Sequence, residues 1–130
     1  MKEQLIEEAI RARENAYTPY SNFKVGAALL TVDDEIYTGC NVENSSYGLT
    51  NCAERTAIFK AISEGKKDFK ALAVVADTDD PVSPCGACRQ VISEFGPGIK
   101  VIMANLEGDA ITKDLKDILW GAFAGKDMDK

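Results

Sequence analysis

Histidine is absent from all 130 residues of the sequence. Its absence excludes a Ser-His-Asp triad, a histidine general base and any metal site with an imidazole ligand. Long apolar runs are missing too, since no stretch reaches the roughly 18 residues that a membrane-spanning helix needs. The charged opening MKEQLIEEAI also lacks the features of a signal peptide. We therefore expect a cytoplasmic protein without a membrane partner.

Basic residues are outnumbered by acidic ones, 15 against 21, and the formal net charge is −6. This balance repels polyanions, so it disfavours nucleic acid as a partner and favours a small or neutral ligand. A chain of this length, with 45% hydrophobic and 28% charged residues, suits one globular domain. Residues 1–130 are predicted to form that single domain.

The apolar spacing and the turn residues predict nine elements in the order α-β-β-α-β-α-β-β-α. Their predicted ranges are 3–16, 25–32, 35–40, about 52 to a stop at Gly65, 71–76, 85–95 with a stop at 96–98, 99–104, 110–112 and 114–119. Each cysteine motif falls between a strand and a helix start. The predicted fold class is α/β, a three-layer α/β/α sandwich around a mixed five-stranded sheet, with ligands at one sheet edge.

Three cysteines stand at the starts of two predicted helices, in the motifs CAER at 52–55 and PCGAC at 84–88. Cys85 and Cys88 are one helical turn apart and can reach the same metal ion, to which Cys52 would add a third sulfur. A helix N-terminus favours the thiolate form that a metal needs. Three ligands leave one position of a tetrahedral zinc ion open for water, as in a catalytic site.

Two charged residues follow the first of these cysteines. Glu54 is predicted to be the catalytic acid and base, because its carboxylate could exchange protons with a water molecule at the open position. Three thiolates give Zn²⁺ a net charge of about −1. Arg55 is predicted to neutralise this charge by hydrogen bonding to the ligand sulfurs.

Four sequence blocks, in order along nearly the whole chain, resemble bacterial-type homotetrameric cytidine deaminases, which depend on zinc. The blocks are YSNFKVGAAL at 20–29, GCNVEN at 39–44, CAERTA at 52–57 and SPCGACRQV at 83–91. The resemblance implies hydrolytic deamination of cytidine and deoxycytidine in pyrimidine salvage, with Glu54 as the proton shuttle. It also implies one zinc ion per chain, held by Cys52, Cys85 and Cys88, and a homotetramer whose subunits share active sites.

The resemblance further implies how a nucleoside is held. Asn41 and Glu43 would hydrogen-bond the ribose hydroxyls, and Phe23 would line the base pocket. The backbone of Ala53 would meet the pyrimidine carbonyl group. Two aromatic residues of a neighbouring subunit would close the pocket: Tyr47 and Phe123.

Alternatives to this interpretation remain open at the sequence level. Cys85 and Cys88 could form a redox pair, and Cys40 could complete the zinc shell and make the site structural. Other deaminases act on polynucleotides, guanine or cytosine-bearing antibiotics. The acidic charge argues against polynucleotides, and the pair Asn41 and Glu43 favours a pocket that recognises ribose over one that takes a free base.

The substrate-binding candidates also have ordinary structural interpretations. Asparagine-rich segments are usually turn formers, and phenylalanines are by default core residues. Two positions also depart from the family pattern. Trp120 stands where a proline is expected, and Thr50-Asn51 is an unusual approach to Cys52. The apolar stretch 118–123 could form a subunit interface or cover the core of a single chain.

Overall fold

A computed structural model of the chain describes residues 1–96 and 98–128. The predicted order of helices and strands is confirmed. The elements are α1 Lys2–Arg13, β1 Val25–Thr31, β2 Ile36–Cys40, α2 Ala53–Ser63, β3 Phe69–Ala76, α3 Gly86–Ser93, β4 Lys100–Asn105, β5 Ala110–Asp114 and α4 Leu115–Ile118, with short 3-10 helices at Tyr47–Leu49 and Gly125–Met128. Pro97, within the predicted stop at 96–98, lies outside the described residues. No helix in the described part of the chain has the length and apolarity to cross a membrane.

Several element boundaries differ from the prediction by one to three residues, and two of these differences have clear local reasons. The first helix ends at Arg13 instead of residue 16, because Glu14, Asn15 and Ala16 form tighter turns with bonds to carbonyls three residues back. Tyr17 then pairs with the segment that follows β2. Strand β5 runs two residues further than predicted, because it stays paired with β4 until Asp114.

The five strands form one mixed sheet in the order β2-β1-β3-β4-β5. Strands β3 and β4 are parallel, and the other three pairs are antiparallel. Strand β3 lies at the centre and is buried on both faces from Ala71 to Ala76, which explains its continuous apolar sequence. The mixed five-stranded sheet predicted from the sequence is confirmed.

Helices cover both faces of this sheet. Leu5 and Ala9 of α1 pack on one face, against a cluster that includes Leu30 and Val75. The opposite face is covered by α2, α3 and α4, whose buried residues include Ile58, Ile92 and Leu115. Burying side chains of this size contributes roughly 1.5–3 kcal/mol each. The three-layer α/β/α arrangement is therefore confirmed, with one apolar core on each side of the sheet.

Two glycines allow a helix to lie directly on a strand. A Cβ atom on Gly26 would be 1.9 Å from the Ala9 carbonyl oxygen, and a Cβ atom on Gly39 would be 2.5 Å from the Ala57 nitrogen. Any side chain at these positions would push α1 or α2 away from the sheet. Gly39 in particular fixes the position of α2, which begins at the first cysteine motif.

One edge of the sheet collects the segments that carry the candidate site. The start of β1 at Val25 is paired with Ala76 at the end of β3, and the end of β2 at Cys40 is paired with the second residue of β1. Strand β4 ends at the same edge, where Asn105 is paired with Ala76. The chain therefore leaves the sheet at this edge just before both cysteine motifs.

Candidate metal centre and active site

The three motif cysteines bring their sulfur atoms together. All three Sγ atoms lie within 4.8 Å of one another. The separation is 4.0 Å between Cys52 and Cys85 and 3.2 Å between Cys85 and Cys88. Sulfurs around a tetrahedral zinc ion are about 3.8 Å apart, given a Zn–S distance of about 2.3 Å. The donor set therefore fits one ion of this kind with small adjustments.

Two helix starts position these sulfurs. Cys52 is the N-cap of α2, and Cys85 is the N-cap of α3, both with extended backbone. Cys88 lies in the first turn of α3, and its backbone N–H donates to the Cys85 sulfur at 3.4 Å. Free N–H groups and the positive end of the helix dipole stabilise a thiolate at such a position. The predicted convergence of two helix N-termini is thus present.

No fourth Cys, Asp or Glu joins this cluster among residues 1–96 and 98–128. Cys40, at the end of β2, lies outside it, and burial raises the pKa of its thiol. All four cysteines are free thiols, and the 3.2 Å between Cys85 and Cys88 is far longer than the roughly 2.0 Å of a disulfide. In the described residues the CxxC pair is joined by a third sulfur, and together the three could hold one metal ion.

Arg55 stabilises negative charge on the cluster. Its Nη2 donates to the Cys52 sulfur at 3.1 Å. Hydrogen bonding with Cys88, together with this guanidinium, lowers the pKa of the Cys52 thiol to about 5. The same bond with Cys52, together with burial, raises the pKa of Cys88. The predicted contact between Arg55 and a sulfur of the cluster is present.

The Arg55 Nε–H is a second feature of this contact. It is buried and has no hydrogen-bond partner in the described part of the protein. A buried donor without a partner costs about 1–3 kcal/mol. When a metal binds such a cluster, all three thiols lose their protons and the cluster carries more negative charge. A buried donor beside the sulfurs fits a site of this kind.

Glu54 is buried beside the sulfur cluster. It lies in the first turn of α2 and is 4% exposed. Burial raises the pKa of its carboxyl group, and the charge on Cys52 adds to the rise, while hydrogen bonding with Cys88 opposes it. A carboxyl group whose pKa lies above its usual range can carry protons closer to neutral pH. The position predicted for Glu54 next to a ligand is therefore found.

The unusual residues Thr50 and Asn51 have clear local partners. Asn51 forms both backbone hydrogen bonds of a bridge with Val42, each 2.9 Å long. The Asn51 side chain donates to the Thr56 hydroxyl at 3.0 Å, and the Thr50 hydroxyl accepts from the Asn44 N–H at 3.1 Å. These bonds hold the segment after β2 against the start of α2.

The two ribose-binding candidates face the same segment. Asn41 accepts from the Val25 N–H and donates to the Phe23 carbonyl, both at 2.9 Å. The Glu43 carboxylate accepts from the backbone of Tyr20 and from the backbone and hydroxyl of Ser21. The hydrogen bonds from Ser21 lower the pKa of Glu43. Both side chains therefore organise the entry to β1, and the bonds found among residues 1–96 and 98–128 use only part of the hydrogen-bonding capacity of each.

The remaining candidates fall into two groups. Ala53 is fully buried in the first turn of α2, next to the cluster. The aromatic candidates are exposed: Phe23 at 43%, Tyr47 at 81% and Phe123 at 59%. A single chain therefore gathers the sulfurs, Glu54, Arg55 and Ala53 but does not bury the aromatic candidates. The alternative interpretation of Phe23 and Phe123 as core residues is wrong for both.

Similar proteins indicate the family to which this chain belongs. Residues 1–105 match the family model described as the cytidine and deoxycytidylate deaminase zinc-binding region. The cytidine deaminase of Sporosarcina psychrophila is 61% identical over 127 residues, which cover 97% of this chain and 93% of the relative. The chain belongs to the cytidine deaminase family. Another member, from Halalkalibacterium halodurans, is 59% identical over 128 residues and covers 98% of this chain and 97% of its own.

The fold of the family is also shared. The crystal structure of cytidine deaminase from Burkholderia pseudomallei has a TM-score of 0.92 and 54% identity, with 95% of this chain and 99% of that chain covered. The family membership expected from the four sequence blocks is confirmed. The matched zinc-binding region contains the three motif cysteines and ends before the segment that carries Trp120 and Phe123.

Sequence reasoning did not assign three polar residues that support the site. Ser21 holds Glu43, and Arg89 and Gln90 follow Cys88 on α3. The only sequence signal for them is that they lie inside the family blocks at 20–29 and 83–91. Arg89 and Gln90 bond to carbonyl groups about thirty residues further along the chain, a distance at which no local spacing rule applies.

Proposed function

We propose that this chain catalyses the hydrolytic deamination of cytidine and deoxycytidine to uridine and deoxyuridine, with release of ammonia. The observation that carries the proposal is the cluster of three sulfurs beside the buried Glu54 carboxyl group. Membership of the cytidine deaminase family supports it. We also propose a role in pyrimidine salvage and a cytoplasmic location.

The cofactor we propose is one zinc ion per chain, held by Cys52, Cys85 and Cys88. Three thiolates suit zinc, and the cation of Arg55 balances the excess negative charge of such a site. Zinc in this position supplies Lewis-acid activation of a water molecule.

Glu54 moves the protons in the proposed reaction. Its carboxylate accepts one proton from water and delivers it to N3 of the pyrimidine, while the water oxygen bonds to C4. Glu54 then takes the second proton of that oxygen and passes it to the amino group on C4. The C4–N bond breaks, ammonia leaves and the C4 carbonyl of uridine remains. Water supplies both protons, and Glu54 returns to its starting state.

Substrate binding involves the sheet edge around the cluster. Asn41 and Glu43 use their free hydrogen-bonding capacity for the ribose hydroxyls, and Phe23 lines the base pocket. The N–H of Ala53 lies in the first turn of α2, where such groups have no partner inside the helix, and it meets the pyrimidine carbonyl. We propose a homotetramer in which Tyr47 and Phe123 of a neighbouring subunit close the pocket, because both are exposed in one chain.

The activity is tested by incubating zinc-loaded protein with cytidine, deoxycytidine, cytosine and guanine while following absorbance and ammonia release. We expect turnover of the two nucleosides only, with one zinc ion per chain by metal analysis. Turnover of guanine or free cytosine, or none with either nucleoside, would contradict the proposal. Sedimentation of the same sample tests the tetramer, and a fully active monomer would contradict the shared pocket.

A further inference from the structure

Two consecutive residues of α3 hold the C-terminal part of the chain. Arg89 Nε donates to the Pro84 carbonyl at 2.9 Å, and its Nη1 donates to the Ile118 carbonyl at 2.6 Å. Gln90 Nε2 donates to the Phe123 carbonyl at 2.7 Å, and its Oε1 accepts from the Phe123 N–H at 3.2 Å. Both residues follow Cys88 directly, so the helix with two metal ligands also anchors this segment.

The Gln90 side chain makes the two hydrogen bonds that a peptide group of a paired strand would make. It satisfies both main-chain groups of Phe123, in a stretch, 119–124, that belongs to no helix or strand. Side-chain burial does little to fix this stretch, because Trp120 is 96% exposed and the Phe123 ring is more than half exposed. The position of Phe123 therefore depends on main-chain bonds, and Gln90 supplies two of them.

We propose that Gln90 is a positioning residue for substrate binding. By holding the Phe123 backbone, it sets where the Phe123 ring stands relative to α3, and Arg89 fixes the start of the same segment at Ile118. The inference rests on the proposed function, in which the Phe123 ring closes the nucleoside pocket of a neighbouring subunit. It adds that the metal-bearing helix determines the geometry of that closure.

The first test is kinetic and uses zinc-loaded protein. Gln90→Leu replaces the amide with a shorter apolar side chain and removes both hydrogen bonds. We expect KM for cytidine to rise about 5-fold or more, the size of one lost net hydrogen bond, with kcat and zinc content close to those of the unaltered chain. Glu94→Gln, on the exposed end of the same helix, is the control and leaves KM unchanged. An unchanged KM in Gln90→Leu would overturn the proposal.

A double-mutant cycle shows whether Gln90 acts through Phe123. Phe123→Ala removes the ring that Gln90 positions, so Gln90→Leu added to Phe123→Ala should raise KM no further. Additive effects would mean that Gln90 influences binding by another route and would contradict the proposal. A purely structural role would instead lower kcat and zinc content together.

Hydrogen exchange provides a readout that does not depend on activity. We expect peptides covering 119–128 to exchange faster in Gln90→Leu, while peptides covering 86–93 keep their protection. Fluorescence quenching of Trp120, the only tryptophan, reports on the same segment. Unchanged exchange at 119–128 would overturn the positioning role. A chain that does not deaminate cytidine would overturn the proposed function instead, and the exchange result would still show whether Gln90 holds Phe123.

Discussion

The sulfur centre and the aromatic rim of this protein differ in how far one chain completes them. The sulfur centre consists of the three motif cysteines with Glu54 and Arg55, and it is positioned by two helix starts. The aromatic rim comprises four exposed residues: Phe23, Tyr47, Trp120 and Phe123. The proposed chemistry needs only the centre, whereas the proposed closure of the pocket needs aromatic residues of a neighbouring subunit. A second copy of the chain would supply it.

The two regions are also stabilised differently. In the centre, charge and burial act together, because a guanidinium offsets thiolate charge and burial raises the pKa of the carboxyl group. In the rim, the side chains are exposed, and hydrogen bonds to the backbone set their positions, as Asn41 does beside Phe23 and Gln90 does at Phe123. Substitutions in the centre should therefore affect metal binding and kcat, and those in the rim should affect KM.

Removing a sulfur ligand should have the largest effect. Cys88→Ala takes away one of three ligands, and we expect loss of stoichiometric zinc and of measurable turnover, because two protein ligands hold zinc poorly. Cys40→Ala is the matched control, since this cysteine lies outside the cluster. It should keep one zinc ion per chain and normal activity. Metal analysis after dialysis decides, and loss of zinc from Cys40→Ala would contradict the assigned ligand set.

Replacing the carboxyl group should have the next largest effect. Glu54→Gln keeps the shape of the side chain but cannot accept a proton. We expect kcat to fall by about 10²–10⁴, the usual value of general acid and base catalysis, with zinc content unchanged. Single-turnover kinetics and metal analysis on the same preparation provide the measurement. Near-normal turnover in this variant would remove Glu54 from the mechanism.

The centre could be predicted from the sequence because its information is local. Two cysteines one helical turn apart, with a carboxylate two residues after a third cysteine, indicate a candidate metal centre with an acid–base group beside it. The supports of the centre could not be predicted in this way. Gly39 matters because α2 lies on its backbone, and Arg89 matters through a carbonyl group at Ile118. Such relations arise only when the layers pack.

The loop before Cys52 shows a second reason why the supports of the centre could not be predicted from the sequence. Thr50 and Asn51 look unusual in the sequence as an approach to Cys52, yet each has a specific hydrogen-bond partner. A comparison of residue types identified them as unusual but could not show which bonds they make. The exposure of Phe23 and Phe123 differs from the core position that phenylalanine takes by default, because burial preferences are averages over a residue type and do not describe a particular position.

Arg55 provides a smaller test of the centre. Its loss removes the cation that stabilises the Cys52 thiolate. We expect Arg55→Gln to bind zinc about 10- to 100-fold more weakly, as is usual when a group that supports a ligand is removed. The pH at which the rate saturates should move upward, because negative charge is then less stable. Arg55→Lys keeps the charge and should recover part of the affinity. Competition with a chelator measures both variants, and equal zinc affinity in Arg55→Gln and the unaltered chain would contradict the charge balance.

Tyr47 should give the smallest effect and tests the rim side of the comparison. Because its side chain is 81% exposed in one chain, Tyr47→Ala should change the free energy of unfolding of the single chain by no more than about 0.5 kcal/mol. If the residue closes a neighbouring pocket, KM for cytidine should still rise by about 5-fold, the equivalent of roughly 1 kcal/mol, with kcat and zinc content unchanged. Tyr47→Phe keeps the ring and separates its contribution from that of the hydroxyl group. A fall in kcat or zinc without a change in KM would place Tyr47 with the sulfur centre, and the division between a centre completed by one chain and a rim completed by two would then be wrong.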